Sequence, residues 1–128
     1  MNAQRIILVV DDDLQSRQLT QGTLESAGYT VLLAEHGGQA LQWVKTHHPV
    51  LIITEIVMQE HDGIELITKL RKLPAEHPRP KIIALCAGMQ RMVCYLEAAR
   101  HLGADKTLVR PVTSVQLLEE VERLLNVK

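Results

Sequence analysis

Five short apolar runs recur along the chain, at residues 5 to 10, 30 to 34, 50 to 54, 81 to 85 and 106 to 109, and each is followed by a stretch with helical periodicity. This alternation constrains the fold more than any other feature, because parallel strands cannot be joined by a tight turn and need a crossover between them, usually a helix. Five such units predict an α/β domain with a parallel sheet and right-handed crossovers. The helices read at 14 to 27, 38 to 47, 63 to 73, 89 to 102 and 114 to 126. Gly28 and Gly103 mark two helix C-termini, Pro49 follows the second helix, and residues 74 to 80, with three prolines, form an exposed loop before the fourth strand. The 128 residues fit one domain, 1–128, with room for a real core. With no Phe, one Trp and two Tyr, that core must be built from Leu, Ile, Val and Ala, as parallel sheets usually are.

In such a sheet, ligands collect outside the carboxyl ends of the strands, where the strand order reverses. Asp11, Asp12, Glu55, Cys86 and Arg110 all fall at those ends. Paired carboxylates at a strand end repel unless a cation lies between them, and Mg²⁺ favours all-oxygen, near-octahedral ligation. Asp13 reads as the N-cap of the first helix, its side chain accepting from backbone N–H groups. Arg110 carries a planar fork suited to a carboxylate, and a direct pair with Glu55 is expected.

The stretch Val50 to Met58, followed by Asp62-Gly63, resembles the phosphoacceptor strand and loop of a response-regulator receiver domain. Asp11-Asp12-Asp13 after Ile6 to Val10 resembles that family's acidic cluster. Ile82 to Ala87 is similar to its fourth strand, and Gly103-Ala104-Asp105 through Arg110-Pro111 to the segment ending in Lys-Pro. The resemblance covers the whole chain. It implies a flavodoxin-like (βα)5 three-layer sandwich with a five-stranded parallel sheet in the order 2-1-3-4-5. It also implies a metal site of Asp11, Asp12, Glu55 and the main-chain carbonyl of Val57, and a role in two-component phosphorelay signalling rather than an enzyme's role.

Several positions depart from the family pattern. Glu55 stands for the acceptor Asp, Cys86 for a hydroxyl residue, Arg110 for Lys, Thr107 for an aromatic switch residue, and Gln59 for Pro. The glutamate carboxylate reaches further by roughly 1.5 Å, one C–C bond, and a misplacement of about 1 Å can cost on the order of 10²-fold in rate. A thiol at 86 offers only a weak donor to a phosphoryl oxygen. Together these changes predict a pseudo-receiver, a phosphorylation-independent interaction module at which Mg²⁺ binds weakly or not at all, since Arg110 competes for the Glu55 oxygens. Two alternatives stand beside it: a working phosphoacceptor that uses Glu55 or a nearby Asp, and a flavodoxin-like small-ligand binder. The latter lacks a convincing phosphate-cradling loop after the first strand.

The fourth helix spreads Met89, Met92, Val93, Tyr95, Leu96, Ala98, Ala99 and Leu102 over more of its circumference than one buried stripe requires. Met92, Tyr95, Leu96 and Ala99 are the expected partner surface, for a protein partner, an attached output domain, or a homodimer through helix 4 and strand 5. A net charge of -1 and the lack of an aromatic series argue against nucleic acid. No apolar run approaches the roughly 20 residues that cross a bilayer. Cys86 and Cys94, eight positions apart, have no metal-ligand spacing and fit a reducing compartment, so a cytoplasmic location is expected. His47 and His48 read as surface residues at a helix end, His61 as a solvated loop residue, and Trp43 as half-buried on the second helix.

Overall fold

A computed structural model of the protein describes residues 5–58, 62–74, 76, 79–86 and 93–126, the side chains of Asp62 and of residues 93–96 excepted. Its elements are β1 (Ile6–Val10), α1 (Leu14–Ser26), β2 (Thr30–Ala34), α2 (Gly37–His47), β3 (Leu51–Glu55), α3 (Asp62–Arg71), β4 (Lys81–Cys86), α4 (Val93–Leu102), β5 (Lys106–Val109) and α5 (Ser114–Leu125). All five strands are parallel, in the order β2-β1-β3-β4-β5. The expected order and helix placement hold, with boundaries moved by a residue or two; residues 89–92 of the expected fourth helix lie outside the described residues.

The sheet is buried on both faces, and period-two alternation sends successive residues to different cores. Leu8, Val10, Ile52 and Ile82 pack with Ala40 and Val44 of α2, with Leu66, Ile67 and Leu70 of α3, and with Ala99 of α4. Ile7, Val9, Ile53 and Ile83 face the other way, onto Leu24 of α1 and Leu117 and Val121 of α5. Fully burying each of the Leu, Ile and Val side chains contributes about 1.5–3 kcal/mol. Ala99, expected on a partner surface, is instead fully buried in the first core. Its single methyl group fits the close approach of α4 to the sheet, so it belongs to the stripe that anchors the helix.

Local chemistry fixes the element ends. Asp13 caps α1 by accepting from Ser16 N at 2.8 Å, as expected. Thr113 and Gln116 form a reciprocal capping box at the start of α5. His36 caps α2 through Nδ1, a role not read from the sequence. Gly28 and Gly103 adopt φ of 95° and 124°, the left-handed conformation that ends a helix, and His48 does the same for α2 at φ 48°. Trp43 is half-buried and donates from Nε1 to Leu33 O at 2.9 Å.

Gly63 sets how closely α3 begins behind the end of β3. A Cβ there would meet the carbonyl oxygen of Glu55 and lie 2.6 Å from Ile56 Cα, backbone atoms that cannot swing aside. Gly63→Ala is therefore expected to destabilise the fold by about 1–3 kcal/mol, the usual cost of overpacking. Urea denaturation checks this through the transition midpoint. An unchanged midpoint would show that α3 pivots away freely.

Candidate functional site

The parallel register delivers the polar groups to one edge. β1 pairs with β3 from Ile7↔Leu51 to Val10↔Thr54, which leaves Asp11 and Glu55 side by side one step further on. β4 pairs with β5 up to Cys86↔Val109, and Arg110 N then donates to Cys86 O at 2.8 Å. Asp11, Glu55, Cys86 and Arg110 thus occupy neighbouring strand ends. Asp12 lies next to Asp11 and is exposed.

Arg110 crosses this edge. Its Nε donates to Glu55 Oε1 at 2.6 Å, its Nη2 donates to the same oxygen, and Nη2 lies 3.6 Å from Asp11 Oδ2. The expected pair with Glu55 is present, and Asp11 is drawn into it. The Glu55 side chain is 12% exposed and that of Arg110 is 32% exposed, so the bridge is sheltered on the carboxylate side. Asp11 Oδ1 accepts from Asp13 N at 2.9 Å, which ties the strand end to the cap of α1. Burial pushes the Glu55 carboxyl above its ordinary 4.5; the Arg110 charge and hydrogen bond offset part of that rise, while Asp11 and Asp12 add to it.

The remaining expected site residues are less engaged. Cys86 is buried in the core under α2, α3 and α4, as befits an inert packed thiol. Val57 is half-buried against the same core, and Thr107 is half-buried on β5 beside Ala84. Gln59, His61 and Met92 lie outside the described residues, as do the side chains of Tyr95 and Leu96.

Sequence reasoning missed Arg17. It is buried on α1, donates from Nη1 to Asp11 O at 2.7 Å and lies 3.9 Å from Glu35, so it braces the turn that presents Asp11. Its signal was a lone cation in a helix whose other residues, Glu25 excepted, carry no charge. Thr54 was missed too; it is fully buried and its hydroxyl donates to Glu55 O at 2.9 Å.

The chain belongs to the family of response regulator receiver domains, which it matches over residues 7–122. It is 31% identical to the chemotaxis protein CheY of Bacillus subtilis over 121 residues, 94% of this chain and 97% of that protein. It is 34% identical to the response regulator MprA of Mycobacterium ulcerans, covering 93% of this chain and 49% of MprA. Among solved structures, a CheY-like receiver from Methanospirillum hungatei superposes with a TM-score of 0.84 at 29% identity, over 95% of this chain and 94% of that one. A signal receiver domain from Bermanella marisrubri gives 0.86 at 28% identity, over 97% of this chain and 100% of that one. The protein is thus a receiver domain of two-component signalling, and no helix among the described residues is long and apolar enough to cross a membrane.

Receiver domains typically bind Mg²⁺ at the phosphorylation site. Here the donor atoms have the right chemistry, hard oxygens from Asp11, Asp12 and Glu55, but not the right arrangement. Glu55 Oε1 is taken by the guanidinium and Asp11 Oδ1 by an amide. Among the described residues, no three acidic, His or Cys side chains converge to hold a metal.

The raised Glu55 pKa gives a pH signature. The folded protein holds this proton more tightly than the unfolded chain does, so the contribution is complete below 4.5 and is lost as pH rises through the raised folded value. Glu55→Gln removes the titration. The stability of wild type relative to that variant should fall with rising pH in the window just above 4.5, as read from urea midpoints of both proteins at a series of pH values. A flat difference would show that the Arg110 charge cancels burial, and a rising one that it outweighs burial.

Proposed function

We propose that this receiver is a phosphorylation-independent module, a pseudo-receiver that signals by binding a protein partner or output domain. The observation that carries the proposal is the Arg110 bridge: the one side chain at the acceptor position is already bonded through Oε1 to a neighbouring guanidinium. An attacking carboxylate needs an accessible lone pair and a phosphoryl group placed in line with it. Both are impeded by a cation seated on the oxygen. The buried thiol of Cys86 offers no hydroxyl grip, and Thr107 has no ring to swing inward.

Partner binding then falls to a surface that needs no trigger. Leu102 at the end of α4 and Val109 at the end of β5 are exposed apolar residues on the helix 4 and strand 5 side, 36% and 49% exposed. They support that face as the contact surface, and Ala99 is no longer part of it. A small-ligand role is disfavoured by the loop after β1, because the carboxylate of Asp13 already fills the N-terminus of α1 where a phosphate would sit.

Incubation with acetyl phosphate and Mg²⁺ followed by intact-mass analysis tests the reading. The mass is expected to stay unchanged, and sedimentation with and without the phosphodonor is expected to coincide. A stoichiometric phosphoryl adduct mapped to Glu55 would sink the proposal.

A further inference from the structure

We propose that Arg110 is the resident cation of this site: it takes the place of the divalent ion, and a metal can enter only if the guanidinium leaves. This deepens the reading of the domain as phosphorylation-independent and rests on it. The carboxylates of Asp11 and Glu55 meet at the ends of β1 and β3, with Asp12 next in the chain, and their repulsion calls for positive charge between them. The guanidinium provides it by placing two N–H groups on Glu55 Oε1 and reaching to within 3.6 Å of Asp11 Oδ2. A single side chain thereby spans two strand ends.

Arg110 is also held in place from behind. Its backbone N–H is bonded to Cys86 O at 2.8 Å, and the chain runs on through Pro111 to the capping box of Thr113 and Gln116. The base of the side chain is therefore fixed by β-sheet pairing on one side and by a helix start on the other. Asp11 cannot turn away, since its Oδ1 accepts from Asp13 N and its carbonyl accepts from Arg17. Mg²⁺ binds oxygen ligands at about 2.0–2.1 Å and retains several waters. That hydrated ion and the guanidinium cannot share Glu55 Oε1.

Two consequences follow from mutual exclusion. The affinity of the wild type for Mg²⁺ is lowered by the small fraction of molecules whose Arg110 has swung out. Removing the guanidinium frees Glu55 Oε1 and takes its charge away from Asp11 Oδ2, leaving carboxylate oxygens of the kind a hard divalent ion prefers. Arg110→Ala is therefore a gain-of-binding variant.

Calorimetric titration with MgCl₂ at constant ionic strength, on wild type, Arg110→Ala, Arg110→Gln and the double variant Arg110→Ala with Asp12→Ala, decides the matter. Wild type should show no saturable binding in the millimolar range. Arg110→Ala and Arg110→Gln should bind at least about tenfold more tightly, which corresponds to about 1.4 kcal/mol, and Mg²⁺ should raise their melting temperatures but not that of wild type. The double variant should lose the gain. Circular dichroism establishes that each variant is folded, and Arg110→Gln decides if Arg110→Ala is not. Sub-millimolar binding by wild type, or no gain in a folded Arg110 variant, overturns the inference. Acetyl phosphate treatment of the same wild-type sample separates the two failures: metal binding without a phosphoryl adduct overturns only the resident cation, whereas an adduct on Glu55 overturns the phosphorylation-independent reading itself.

Discussion

Everything at the site depends on the pairing of β1 with β3. Four parallel pairs, from Ile7↔Leu51 to Val10↔Thr54, fix the two strands in one register, and a slip by one residue would turn every side chain to the other core. Since both faces are buried, neither core tolerates such a slip. Asp11 and Glu55 are therefore neighbours by necessity. Their mutual repulsion is a standing cost of the fold that a cation must offset, and Arg110 lies close enough to do so because β4–β5 pairing carries it to the same edge.

The residues at 55 and 110 complement each other. The Glu55 carboxylate reaches the start of the β5–α5 connection, where its Oε1 accepts from Arg110 Nε. A guanidinium, unlike an ammonium, presents Nε and Nη2 as a planar fork, and here both converge on a single oxygen while Nη2 also faces Asp11. Burial favours the neutral carboxylic acid at Glu55, and the Arg110 charge opposes that tendency without fully cancelling it. The bridge is a compromise between desolvation and attraction, not a pure gain in stability.

The strands and helices were legible because the apolar periodicity changes at each boundary and Gly28, Gly103 and Pro49 punctuate it. Asp13 as a cap was legible because an acidic residue before a helix has one dominant use. Ala99 was misread: small side chains at a helix–sheet contact look no different in sequence from small side chains on a surface, and the distance between the elements decides. Arg17 escaped notice because a buried arginine is uncommon and its partner, the carbonyl of Asp11, has no sequence signature. The cap at His36 was hidden for a similar reason, since histidine is not among the favoured N-cap residues. The pairing of Arg110 with Glu55 could be anticipated from the complementary departures at the two positions, whereas the inclusion of Asp11 depends on a guanidinium orientation that only three dimensions provide.

A switch responds to a ligand only by as much as that ligand distinguishes its two states. In a receiver that accepts phosphate, the added charge and the metal beneath it supply that difference. In the proposed reading the edge is already neutralised in part by a side chain of the same molecule, so neither ion nor phosphoryl group has a vacant place to reward. The input is then the presence of the protein itself, and its output depends on surfaces such as the one carrying Leu102 and Val109, which are exposed without any trigger. On that reading, control lies in abundance and partner affinity instead of chemistry at the sheet edge, while the sheet keeps the parallel register that brings Asp11, Glu55 and Arg110 together.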